Sequence, residues 1–457
     1  VLFRSPTAKY IIDPLKKQLE ALEYIGLSYL TLNRVTTTLS GGEAQRLKLI
    51  RHLNSSLSDL VYIIDEPSVG LHPEDIAKIN EILKSLKEKG NTVLIVEHDP
   101  DVIKEGDYII DMGPGSGKNG GEITFEGTYN ELLSSNTSTG NALRNKHNLK
   151  ENIREANHFY NIGPVTQNNL NNVKTSIPKH VLTVLTGVAG SGKSTLVKAG
   201  FENNDHTIFI DQKAVQGSNR SNLLTYLGVF DSVRSYFSKE TGLNKAMFSY
   251  NSKGACPNCG GKGYIKTELA FMGDFSQTCE VCHGKRYKQE VLDATIDGYS
   301  IADVLNLTVD EGIIFFDKKN DIKSKLQSVS KTGLNYMSLG QPLSTLSGGE
   351  IQRVKLGQHL DEEIKNSIFI FDEPTTGLHE SDIPILMECF DDLIDQNNTV
   401  ILIEHNLSIM CEADWIIDVG PGPGLDGGKV QFSGTPKNFI DSSETLTSKH
   451  LKRYIKQ

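Results

Sequence analysis

"LTGVAGSGKSTLV", residues 185–197, decides the fold. Its centre, Gly187-x-x-x-x-Gly192-Lys193-Ser194, follows the apolar run "VLTVLTG" and opens a helical "STLVKAG". A phosphate-binding loop needs that context. Its glycines let backbone N–H groups point at phosphates, its lysine neutralises them, and its hydroxyl reaches Mg²⁺. Lys193 and Ser194 take the last two roles, with Gly187, Gly190, Ser191, Gly192 and Thr195 forming the cradle, so ATP and Mg²⁺ are expected ligands. In isolation the pattern also suits an incidental glycine-rich turn, and the surrounding sequence has to decide.

The helix-start motif that answers such a loop, "LSGGE", occurs twice, at Leu39 and at Leu346. One constant offset, that from Leu39 to Leu346, aligns both and much more: "GLSYL" falls on "GLNYM", "DEPSVGLHPEDI" on "DEPTTGLHESDI", and "DMGPGSGKNGGEITFEGT" on "DVGPGPGLDGGKVQFSGT". Two copies of one module follow. In the second copy Gly187 lies far ahead of Ser347, and the same spacing back from Ser40 lands about 120 residues ahead of Val1. The opening "VLFRS" reads as translated sequencing-adaptor sequence and is set aside. An N-terminally truncated chain is therefore expected.

A chain of 457 residues suggests two to four units at about 150 residues each. No run of 18 or more apolar residues is present to cross a bilayer. The net charge of −10 supplies no global attraction for nucleic acid, so any DNA contact has to come from a local surface. "LVYIID" and "SIFIFD", with "NTVLIVEH" and "NTVILIEH", read as buried parallel strands, and the fold class is α/β. Leu15, Leu19 and Leu22 share one helical face, and Ile322, Leu326 and Val329 repeat it.

Chemistry gathers at the strand ends. Asp372 closes "IFIF" and Glu373 follows, a spacing that suits one carboxylate on Mg²⁺ and the next as general base for the attacking water. His405, ending the next strand, would contact the γ-phosphate and orient that water. Ser40, Gly41, Gly42 and Ser347, Gly348, Gly349 open capped helices whose positive ends face an anion. Cys256-x-x-Cys259 and Cys279-x-x-Cys282, two pairs separated by one short stretch, have the spacing of a tetrahedral Zn²⁺ site. Two disulfides or four buried thiols are the alternatives, and the polar turns around the cysteines disfavour both. Cys389 and Cys411 lie in helical patterns and read as core.

These residues resemble the ATP-binding cassette superfamily, in which paired cassettes hold each ATP between one phosphate loop and the opposite LSGGE. The resemblance implies that Ser40, Gly41 and Gly42 close the Lys193 site and that Gln212 senses Mg²⁺ and the attacking water. Asp65, Glu66 and His98 would pair with Ser347 in a site without a phosphate loop. With "CEVCHGKRY", "LGQPLSTLSGGEIQRVKL" and "ADWIIDVGPG", the chain resembles the UvrA family of bacterial nucleotide excision repair. The expected layout is a partial first cassette over 1–135, a polar linker over 136–158, and a second cassette over 159–457 carrying a signature and zinc insertion at 233–340. The resemblance further implies ATP hydrolysis, a damaged or distorted DNA duplex and a UvrB-like protein as partners, a homodimer, and a cytoplasmic setting. Arg220, Lys262, Lys285 and Arg286 are candidates for the DNA surface. "LNRVTTTLSGGEAQRLKL" looks closer to shorter UvrA paralogues, some linked to drug tolerance. An energy-coupling transporter subunit is the other class that stays open; a non-hydrolysing scaffold conflicts with Lys193, Asp372, Glu373 and His405.

Overall fold

The computed structural model describes residues 6–36, 39, 41–53, 57–145, 148–213, 221–269, 273–362 and 364–456. It divides into two compact units, one formed by Val1–Gln212 with Ile364–Gln457 and the other by Lys213–Glu363.

In the first unit the apolar runs of the second copy assemble a six-stranded sheet. Its strands, in order, are Lys429–Gly434, Trp415–Gly420, Leu182–Thr186, Thr399–Ile403, Ile368–Asp372 and Thr207–Ile210. All adjacent pairs are parallel except the antiparallel edge pair of Trp415–Gly420 with Lys429–Gly434. Leu182–Thr186 and Thr399–Ile403 are buried at every position, as strands covered on both faces must be. Leu185, Leu196, Ile370, Ile401 and Ile417 meet in their core.

The repeat persists in the backbone. Val61–Asp65 pairs in parallel with Thr92–Val96, and Ile109–Gly113 antiparallel with Glu122–Gly127. All of these bounds but one map onto their counterparts at the offset of the sequence repeat, the exception being Ile109, whose equivalent Ile416 follows the strand start at Trp415, and the bulge at Asp111/Met112 matches that at Asp418/Val419. Burial does not repeat. Val61 is 67% and Ile63 72% exposed, where Ile368 and Ile370 are sealed. The expectation that "LVYIID" and "NTVLIVEH" form buried strands is thus corrected: they are parallel strands with exposed alternate residues. The reason is cover: Ile368 and Ile370 share a core with Leu196, Val197 and Phe201 of helix Lys193–Phe201 and with Ile162 and Val165, whereas Val61 and Ile63 join no core cluster among the described residues. Full burial of one such Val or Ile is worth about 1.5–3 kcal/mol, which the first copy lacks at these positions. Its own core, Ile25, Leu49, Ile76, Ile79 and Leu83, lies on the helical side.

The predicted helical faces differ in the same sense. Helix Pro6–Tyr24 leaves Leu15 and Leu19 exposed, whereas helix Asn320–Val329 buries Ile322, Leu326 and Val329. The stretch at 136–158 holds a helix, Ser138–Arg144, and beyond it Arg154 docks on the second copy through Asp391 and Asp395.

The second unit extends on both sides of 233–340. Leu223 and Leu224 at its front and Val354 near its end share one core with Phe237, Phe248, Tyr250, Tyr287 and Phe316.

Candidate nucleotide and metal sites

Strand Leu182–Thr186 delivers the chain to Gly187, and helix Lys193–Phe201 carries it away. A Cβ at Gly187 would stand 2.0 Å from Val419 O, and its φ is 131°, so this approach demands glycine. Lys193 Nζ donates to Gly187 O at 2.9 Å and to Val188 O at 3.0 Å, curling the loop around the ammonium. Burial lowers the lysine to about 8, opposed by Glu373, Asp418 and Asp372. Ser191 Oγ is fully buried and has no partner among the described residues. An orphaned donor in a loop whose Gly187, Gly190 and Gly192 all take positive φ fits a seated anion. Thr195 Oγ1 accepts from Asn168 Nδ2 at 3.1 Å.

Ser194 Oγ donates to Asp372 Oδ1 at 3.3 Å, and Lys198 Nζ lies 3.3 Å from Asp372 Oδ2. The hydroxyl and carboxylate assigned to Mg²⁺ therefore meet at one point. Glu373 leaves the strand at a positive φ of 54°. Burial, then the charges of Asp372 and Glu404, raise its carboxyl to about 7 against Lys193 and Arg46. Gln212 Nε2 donates to Thr376 Oγ1 at 2.9 Å and to Glu373 O at 3.3 Å. His405 is buried and neutral, its pKa held far below the usual range by burial and by Lys193, His72 and Arg46. Its Nδ1 has no partner among the described residues. Glu404 fixes the turn behind it, accepting from Thr375 N at 2.9 Å, His405 N at 2.7 Å and Asn406 N at 3.1 Å.

The first copy faces this loop. Tyr29 lays its ring on Gly190, with ring carbons 3.1 Å from where a Cβ would be, and its own Cβ lies 2.9 Å from the equivalent point on Gly424. Tyr29 Oη donates to Glu43 Oε1 at 2.6 Å. Glu43 belongs to helix Gly41–Leu53, which Gly41 and Gly42 open; Ser40 lies outside the described residues. A Cβ at Gly70 would stand 2.7 Å from Glu373 Oε2. The signature helix and the turn after the first copy's DEP thus both border the Lys193 site. In the first copy's own set, His98 Nε2 is 3.6 Å from Glu66 Oε1.

Ser347 belongs to the second unit. It caps helix Gly348–Leu360, its Oγ accepting from Glu350 N at 3.2 Å while Ser347 N donates to Glu350 Oε2 at 2.9 Å. Gly348 and Gly349 form the first turn of that helix.

Cys256, Cys259, Cys279 and Cys282 are buried, and their sulfurs all lie within 4.8 Å of one another. Cys256 and Cys279 Sγ are 4.0 Å apart, Cys259 and Cys282 Sγ 3.7 Å. A disulfide needs about 2.05 Å, whereas four thiolates at about 2.3 Å from one tetrahedral ion stand about 3.8 Å apart. The cluster has metal-site geometry. Asn258 Nδ2 and Gly263 N donate to Cys279 Sγ at 3.3 Å and Cys259 Sγ at 3.2 Å, as second partners of thiolates do. Cys389 and Cys411 are buried in helices Ile383–Asp395 and Leu407–Glu412. Among the basic candidates, Lys262 is exposed, Lys285 lies 3.6 Å from Asp303, and Arg286 stacks over Tyr250 at 5.3 Å. Arg220 is outside the described residues.

Tyr29, Asn168, Gly70 and the Gly420–Gly428 loop escaped the sequence reading as contributors to the site. Gly428 N donates to Ser191 O at 2.9 Å and Gly424 N to Gly190 O at 3.0 Å, so this second glycine-rich loop braces the first. The repeated "GLSYL"/"GLNYM" and "GPGSGKNGG"/"GPGPGLDGG" pairs were the available signal.

Residues 170–376 match the family described as ABC transporter. UvrABC system protein A of Aquifex aeolicus is 42% identical over 98% of this chain and 53% of its own length. That of Clostridium perfringens is 43% identical over 97% and 51%. The crystal structure of UvrA2 from Deinococcus radiodurans is 40% identical and superposes with a TM-score of 0.91, covering 96% of this chain and 57% of the other. The chain spans about half the length of the curated relatives it matches. No described helix is long and apolar enough to cross a membrane.

Proposed function

Over the stretch it spans the chain belongs to the UvrA family of ATP-binding cassette proteins, and from that premise we propose that it hydrolyses ATP at the Lys193 loop to drive DNA-damage recognition in excision repair. The observation that carries this reading is the convergence of Lys193, Ser194, Asp372, Glu373, Gln212 and His405 on one loop, bordered by Tyr29 and Gly70 of the other copy.

The chemistry follows from the charges. Lys193 draws the terminal phosphates into the glycine cradle and neutralises them. Ser194 and Asp372 would hold Mg²⁺, which when bound would further neutralise phosphate charge. Glu373 takes the proton of the attacking water, and burial has raised its basicity toward the operating pH. Neutral His405 orients the γ-phosphate side without adding a competing positive charge. Gln212, bonded to Thr376, holds the mouth of the site in register with Glu373.

The cysteine cluster is assigned to one Zn²⁺ that shapes the insertion. Lys262, Lys285, Arg286 and Arg220 are assigned to duplex DNA, which the UvrA family reads by shape and not by base sequence. A UvrB-like partner, homodimerisation and action in the cytoplasm belong to the same reading. Filter binding with damaged and undamaged duplex, with and without ATP, tests it: preference for damaged DNA is expected, and equal retention of both would move the chain to a paralogue outside repair.

A further inference from the structure

Two hydrogen-bonded relays cross between the copies. His72 and His379, equivalent positions of the repeat, each cap the helical turn behind them: Nδ1 accepts from Glu74 N at 3.2 Å in one and from Ser381 N at 3.1 Å in the other. An accepting Nδ1 leaves the proton on Nε2. That proton faces a threonine of the opposite copy, His72 reaching Thr447 Oγ1 at 3.0 Å and His379 reaching Thr139 Oγ1 at 3.0 Å. Each threonine donates onward to an aspartate of its own copy, Asp418 Oδ1 at 3.3 Å and Asp111 Oδ1 at 2.8 Å. Those aspartates occupy the equivalent strand bulges.

The surroundings break the symmetry. His72 is fully buried and stands edge-on to His405 at 5.9 Å, whereas His379 is partly buried. Burial holds His72 down to about 3, so it stays neutral across the working range. Two residues before His72, Gly70 abuts the Glu373 carboxylate. One residue after Asp418, the carbonyl of Val419 abuts Gly187. A single relay therefore joins the turn against the general base to the strand against the phosphate loop. Among the described residues its mirror lies by Glu66, 3.5 Å from where a Cβ on Gly377 would stand, and not by the Lys193 loop.

We propose that His72, Thr447 and Asp418 are positioning residues for ATP hydrolysis, holding the Ser68–Leu71 turn of the first copy against Glu373 of the second. The proposal rests on the assignment of hydrolysis to the Lys193 site. None of the three touches the reacting atoms. Nucleotide affinity resides in the phosphate loop, so loss of the relay lowers kcat and leaves KM alone.

Steady-state turnover and nucleotide affinity of four variants test this. Thr447→Val breaks the relay, Thr447→Ser restores it, and His72→Asn keeps a helix-capping oxygen while losing the reach of Nε2. Thr139→Val breaks the mirror relay. Thr447→Val and His72→Asn are expected to lose kcat by on the order of tenfold to a hundredfold with KM within about twofold. Thr447→Ser and Thr139→Val are expected to stay within about threefold of wild type. Wild-type kcat in His72→Asn, an equal loss in Thr139→Val, a loss confined to KM, or no recovery in Thr447→Ser would each overturn the proposal. If Thr447→Val fails to fold, His72→Asn against Thr139→Val decides it. Wild-type turnover that survives Lys193→Ala would instead remove the underlying assignment of hydrolysis.

Discussion

Strands Val61–Asp65 and Ile368–Asp372 begin and end at equivalent residues, pair in the same register, and pass into a glutamate at positive φ, Glu66 or Glu373. The first is exposed at alternate positions and the second is sealed. Near-identical sequence therefore sets backbone conformation in both copies, while helix Lys193–Phe201, packed through Leu196, Val197 and Phe201 with Ile368 and Ile370, seals the strand of the second copy. That helix also carries Lys193 at its start. Burial and chemistry arrive together: Glu373 is raised to about 7, and the direction of shift at Glu66 is the same but with His98 as its first opposing charge in place of Lys193.

The comparison breaks most sharply at the phosphate loop. Lys193→Ala is expected to abolish ATP turnover, while His98→Ala in the first copy keeps most of it; phosphate release measured for both checks the contrast, and equal losses would make the two sets of residues one site. The next effect is on the base. Glu373→Gln should bind ATP and fail to hydrolyse it, since the loop survives and the proton acceptor does not. Because the ionised carboxylate is the active form and its folded-state pKa is raised to about 7, kcat/KM should be lost as pH falls through about 7. A profile flat down to the ordinary carboxylate range would contradict the burial argument. A smaller effect on turnover, and a large one on the second unit, is expected from the cysteines. Cys279→Ser should lose the near-unit zinc stoichiometry that mild chelation leaves in the parent protein, read by metal analysis; full retention would contradict the cluster geometry.

Much of this was legible because the repeat supplied its own alignment. The spacing from "LSGGE" to "DEP" to "EH" located Asp372, Glu373 and His405 before any fold was known, since each ends a strand whose apolar run is written in the sequence. The four cysteines were legible from spacing alone. Burial of the first copy's strands was not, because an apolar run reports the capacity to be covered and not the presence of a cover. The repeat marked the segment of Tyr29 but not what Tyr29 or His72 touches: each acts on the other copy, Tyr29 on Gly190 and His72 on Thr447, and no local pattern encodes such a contact. The polar stretch at 136–158 looked like a tether because its anchor, Arg154 on Asp391 and Asp395, depends on partners far along the chain.

The central claim is that the first copy completes the site of the second. Ser40 precedes the helix whose Glu43 is tied through Tyr29 to Gly190, whereas Ser347 caps a helix of the other unit. Arginine at Ser347 puts bulk and charge at the cap of its helix, and arginine at Ser40 puts both one residue ahead of helix Gly41–Leu53. Turnover of Ser40→Arg and Ser347→Arg, measured across a dilution series, is the direct test. A sharp loss is expected in Ser40→Arg, most activity in Ser347→Arg, and specific activity independent of dilution. Dependence on Ser347 together with loss on dilution would contradict it, because the Lys193 site would then be closed by a second molecule.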